Sequence, residues 1–136
     1  NFEKIYTGFL ISSLVISATP IFQRSDEKFE LILSAFKYLK ETQRISDWFI
    51  IVFMANLLNY CGIGFKDANI GYESKLWRRL HKANFDSLDE LDEYDNTKYD
   101  ILKIFVDKFN ENFNKNYTVD FLLKLWRDYE FSGSNK

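Results

Sequence analysis

Ser46-Asp47-Trp48-Phe49-Ile50-Ile51-Val52-Phe53-Met54 opens the stretch that decides the fold, and it runs on to Gly62. Ser46 and Asp47 are residue types that start a helix, because their side-chain oxygens accept from backbone N–H groups that have no partner in the first turn. Trp48 to Met54 is almost free of polar residues, and Gly62 is a natural C-terminal cap. A helix with no polar face belongs in the centre of a domain. The rest of the chain is therefore expected to pack around it.

On the N-terminal side, Phe2 to Ala18 places Phe2, Ile5, Phe9 and Ile16 at helical spacing, and Thr19-Pro20 ends the run. A second, amphipathic helix starts near Ser25-Asp26 and carries Phe29, Ile32, Phe36 and Leu39 on one stripe. On the C-terminal side, Ile63 to Glu73 reads as a loop, with Gly64, Asp67, Asn69 and Gly71. Ser74 is expected to cap a fourth helix. Ser87-Leu88-Asp89-Glu90 and Thr97-Lys98-Tyr99-Asp100 both have capping-box spacing and open a short helix and a long one. The long helix has Leu102, Phe105, Val106, Phe109 and Phe113 as its stripe. Thr118 should cap the last helix, with Leu122, Leu125, Trp126 and Tyr129 facing inward, before a polar tail from Ser132 to Lys136. The expected architecture is all-α, one compact domain of six to seven helices over residues 1–131, with a tail at 132–136.

Composition agrees. A chain of 136 residues, 46 % hydrophobic and 28 % charged, is large enough for one core without staples. One proline and five glycines leave few turns for an all-β fold, and 14 Phe, eight Tyr and three Trp predict an aromatic core. A net charge of −2 excludes whole-molecule attraction to nucleic acid, so any such binding needs a local patch. With Cys61 alone, neither a disulfide within the chain nor a cysteine zinc site can form, which suits a reducing cytoplasmic setting. Gly8 to Ala18 has some character of a secretory signal, but Ser12, Ser13 and Ser17 interrupt it and it is too short to cross a bilayer; it reads as an ordinary first helix.

Catalytic patterns are missing from the sequence. His81 has no companion His and no HExxH, Cys61 ends an apolar helix, and Gly62-Ile63-Gly64 follows a helix where nucleotide-binding glycine loops follow a strand. The acids Asp86, Asp89, Glu90, Asp92, Glu93 and Asp95 lack EF-hand spacing and read as a solvated face. The one segment that points to binding is the basic helix: Lys75, Arg78, Arg79 and Lys82, with Trp77 among them, can grip an acidic peptide or a single strand through charge and stacking. The plain alternative is that Trp77 faces the core with Leu76 and Leu80 while the cations offset the acidic segment.

The order of these segments resembles the helical C-terminal domain of RecO, the bacterial recombination mediator. Ile5 to Leu14 resembles the family's leading helix, and Phe53-Met54-Ala55-Asn56-Leu57-Leu58-Asn59-Tyr60-Cys61-Gly62-Ile63-Gly64 resembles its central signature of Leu-Leu followed by Gly-x-Gly. Leu80 to Leu91 resembles the short helices that lead into the penultimate one, and Phe113 to Tyr117 the approach to the last. The resemblance implies a non-catalytic domain that works with RecR to load RecA on single-stranded DNA coated by single-stranded-DNA-binding protein (SSB). The zinc-binding cysteines of many relatives are missing, which implies no zinc and no other cofactor. Relatives also carry an N-terminal OB-fold, so the sequence reads as a fragment or a reduced form. Some relatives bind the acidic, Phe-terminated tail of SSB beside two arginines; Ile51 and Val52 stand at the aligned places here. The other classes open to this sequence are an unrelated helical scaffold or effector domain, and an enzyme whose carboxylates sequence spacing does not reveal.

Overall fold

Ser46 caps as its place demands: its hydroxyl accepts from the Trp48 N–H at 3.1 Å, and the apolar run follows as a helix. In the computed structural model, which describes residues 2–19, 25–63 and 74–123, the elements are α1 (Phe2–Ala18), α2 (Asp26–Glu41), α3 (Asp47–Tyr60), α4 (Ser74–Leu80), a 3-10 segment (Leu88–Thr97) and α5 (Lys98–Phe113). A further helical turn follows at residues 119–123. No strand occurs among the described residues, and the elements form a single compact helical domain around one core.

The centre is α3. All eleven residues from Trp48 to Leu58 are buried, and α1, α2, α4, α5 and the 3-10 segment each contact this helix. Phe53, Leu57, Phe105 and Phe109 are fully enclosed, as the stripes of α3 and α5 predict. Trp126, expected beside them, lies outside the described residues, as do Leu125, Tyr129, most of the loop 63–73 and the tail 132–136. Gly62 ends α3 with φ +80°, a left-handed conformation that glycine adopts without strain.

Four local expectations need correction. The stripe Phe2, Ile5, Phe9 and Ile16 is the one α1 leaves in solvent; the buried side is Thr7, Leu10, Ile11, Leu14, Val15 and Ala18. Both sides of α1 are apolar, and α2 and α3 lie against the second. On α2 the buried stripe is Lys28, Leu31, Ala35 and Leu39, while Phe29 and Phe36 are exposed. Ser74 is already the first helical residue of α4. Finally, neither Ser87 nor Thr97 makes a side-chain cap. The Thr97 hydroxyl turns back to donate to the Tyr94 carbonyl at 2.7 Å, because the chain arrives at Thr97 already wound as a 3-10 helix and not extended. Thr118 does cap, accepting from the Phe121 N–H at 3.0 Å.

Polar ties fix the helix ends. Lys98 reaches Asp47 in the first turn of α3 at 2.9 Å, and the Trp48 indole N–H donates to Asp95 at 2.8 Å, so α3, the 3-10 segment and α5 are joined at one point. Lys28 is buried and its ammonium donates to the Ala18 carbonyl at the end of α1, where a cation also suits the helix dipole. At the end of α5, Asn114 is left-handed (φ 53°), and the Asn110 amide holds both the N–H and the carbonyl of Tyr117.

Candidate functional site

The basic helix α4 is short, and its orientation comes from three apolar side chains and one amide. Leu76, Trp77 and Leu80 are buried, and the Trp77 ring lies 5.8 Å from that of Phe105. The buried Asn56 of α3 donates from its amide to the Leu80 carbonyl at 3.1 Å and to the Val52 carbonyl at 2.8 Å, satisfying one of the orphan acceptors at the end of α4. Of the two readings of Trp77, the structure therefore selects the core position. It offers no stacking platform.

The cations divide. Arg79 is largely enclosed: its guanidinium donates to the Asn84 carbonyl at 3.1 Å and stands 3.8 Å from Glu90. It stitches α4 to the 3-10 segment. Lys75, Arg78 and Lys82 are exposed and no carboxylate lies within ion-pair distance of them among the described residues. The four-residue spacing of Arg78 and Lys82 suggests one helix face, but α4 ends at Leu80 and Lys82 sits in the bend beyond it, where its N–H donates to the Arg79 carbonyl. The two are brought together all the same, as lining of one cleft of about 660 Å³. Its far wall is Glu90, Leu91, Glu93 and Tyr94. An anion entering it meets the cations from the α4 side and is repelled from the opposite wall, so only the outer lip of α4 is open to it.

Ile51 and Val52, aligned with the arginines beside the SSB-tail site of relatives, are both fully buried in α3 and present no surface to a ligand. His81 turns inward, with Nδ1 donating to the Trp77 carbonyl at 2.8 Å. Burial pushes the Cys61 thiol above its ordinary value, outweighing the nearby Lys28 that pulls it down, which is the setting of an inert thiol. Among the described residues no group of His, Cys, Asp and Glu is placed to hold a metal ion, and no helix is long and apolar enough to cross a membrane.

Sequence reasoning missed a second surface feature, an open apolar trough of about 390 Å³ between α1 and α2, lined by Ile5, Gly8, Phe9, Ser12, Phe36 and Leu39 with Lys4 and Lys40 at its rim. The signal in the sequence of α1 is its pair of apolar stripes. Leu10, Ile11, Leu14, Val15 and Ala18 recur as tightly as Ile5, Phe9 and Ile16, so one of the two had to face outward.

Compared with known families, residues 1–66 match the model described as "Recombination protein O C terminal", which covers α1, α2 and α3 and just under half of the chain. Neither the curated proteins nor the solved structures yield a match. The cleft lies outside the matched residues, whereas the central helix and the α1–α2 pair lie within them. Over residues 1–66 the chain is similar to the RecO C-terminal helical domain.

Proposed function

We propose that this chain is a recombination-mediator domain of RecO type, active by binding and not by catalysis, in the bacterial cytoplasm. In this reading it works beside RecR to load RecA on SSB-coated single-stranded DNA. Its own contribution is to hold an anionic segment, the acidic SSB tail or the DNA backbone, along Lys75, Arg78 and Lys82. One observation carries the reading: these three cations line one cleft, exposed and with no carboxylate at ion-pair distance among the described residues, while the fourth, Arg79, is spent on structure. Free cations can form charge-assisted bonds to carboxylate or phosphate, and such bonds weaken as salt rises. The family's own tail site is not reproduced at Ile51 and Val52, so the cleft takes over that role.

The test is a double reversal, Arg78→Glu with Lys82→Glu, titrated with an SSB tail peptide and with single-stranded DNA at two salt concentrations. Affinity should fall about tenfold or more for the ligand that uses the cleft, with a flatter salt dependence. Both side chains are exposed, so the fold should survive, which circular dichroism checks. Unchanged affinity for both ligands removes the cleft as a binding site, and a pull-down without RecR removes the mediator reading in favour of an unrelated helical scaffold.

A further inference from the structure

The outer face of α1 and α2 is independent of the cleft. On α1, Ile5, Phe9 and Ile16 are 60 %, 71 % and 75 % exposed; on α2, Phe29, Leu33 and Phe36 are 60 %, 47 % and 41 % exposed. The two helices run antiparallel, with Ala18 beside Lys28 and Gly8 beside Phe36, so Leu33 and Phe29 fall alongside the turns of Ser12 and Ile16. The six side chains form one surface. With about 150 to 250 Å² per large ring, the three Phe side chains alone leave roughly 350 Å² of apolar area open, and Ile5, Ile16 and Leu33 extend it. That is at least the size of the largest patch on a typical monomer, about 300 to 600 Å².

Two features indicate what covers it. The face carries both a ridge, Ile5 and Phe9, and beside it a trough floored by Gly8 and Ser12, where the missing and short side chains let Phe36 lie against α1. A surface holding a ridge and its complement side by side can close on itself about a two-fold axis. Among the exposed charges of α2, Asp26 and Glu30 stand in its first half and Lys37, Lys40 and the terminal Glu41 in its second, while Glu27 lies toward Tyr60 of α3 and takes no part. Two antiparallel copies of α2 set Glu30 of each against Lys37 and Lys40 of the other.

We propose that this face is a self-association surface that takes a second copy of the chain, two-fold related, the α1 ridge of each seated in the α1–α2 trough of the other.

Sedimentation equilibrium on the full chain tests it. A reversible dimer should appear at or below about 100 μM. Phe9→Asp with Ile16→Asp should leave a monomer with unchanged helicity, since both positions are exposed. Lys37→Glu with Lys40→Glu should loosen the dimer about tenfold, and adding Glu30→Lys should restore part of it, because only a partner carrying the same reversed pattern compensates. A chain monomeric throughout this range, a dimer indifferent to Phe9→Asp with Ile16→Asp, or an added Glu30→Lys that restores no association each overturns the proposal. Binding at the α4 cleft is read separately and should not change in any of these variants.

Discussion

Two helices of this molecule are apolar on more than one side, and they meet opposite fates. Helix α3 is enclosed by five other elements and buries eleven consecutive residues; α1 is enclosed on one side only and leaves Ile5, Phe9 and Ile16 in solvent. Composition alone does not separate them. The difference is place in the assembly: α3 enters the domain between α2 and the rest of the chain, whereas α1 packs against α2 and α3, with Phe121 against Tyr6, and leaves the stripe of Ile5, Phe9 and Ile16 in solvent. A helix apolar on more than one side thus marks two or more interfaces, and the fold decides how many are filled from within.

The most forceful way to break this comparison is a matched pair of truncations. Phe53→Ala in α3 should destabilise the chain by about 3 to 5 kcal/mol, the transfer loss plus the cavity left in a fully enclosed site. Phe9→Ala in α1, measured in dilute solution, should change stability by no more than about 0.5 kcal/mol. Equal effects in denaturant melts would mean that the two helices are not differently enclosed.

A smaller effect is expected where α3 reaches out to position α4. Asn56→Ala removes the amide that donates to Leu80, and should cost about 1 to 3 kcal/mol because a buried carbonyl loses its partner. The readout specific to α4 is hydrogen exchange: its amides should exchange faster than those of α5. A melting shift with unaltered exchange in α4 would show that Asn56 does not orient the basic helix.

The smallest effect concerns pH. Burial raises Tyr6 in α1, burial and the nearby Glu27 raise Tyr60 at the end of α3, and burial raises Cys61 just after it. Each group holds its proton more tightly folded than unfolded, so the folded chain binds more protons in the alkaline range. Stability is then complete below about pH 8.5, the ordinary thiol value, and declines as pH rises through it toward the phenol range. A melting temperature that climbs above pH 9 would contradict these assignments.

What was legible in the sequence follows from how local its cause is. The caps at Ser25 and Ser46 could be read because a hydroxyl before a helical run bonds to an N–H two or three residues on, and both do so. The burial of α3 could be read because no side of it tolerates water. The face of α1 could not, since two stripes compete and the winner is set by residues far along the chain. The same holds for Trp77, whose ring is drawn inward by Phe105, and for Arg79, whose partners Asn84 and Glu90 depend on how the chain turns after Leu80. Four cations in eight residues are visible in the sequence; which three of them remain available is a property of the turn.

The Ala18 carbonyl, where Lys28 donates, also faces the Cys61 thiol at 3.6 Å. One oxygen thus joins a partner 10 residues away and another 43 residues away. Closing the second loop instead of the first is roughly two doublings of chain length, at about 0.6 kcal/mol of entropy each. The nearer link requires only that α1 and α2 meet, while the farther one exists only after α3 has docked. The end of the first helix thus holds a local partner and a distant one at a single atom.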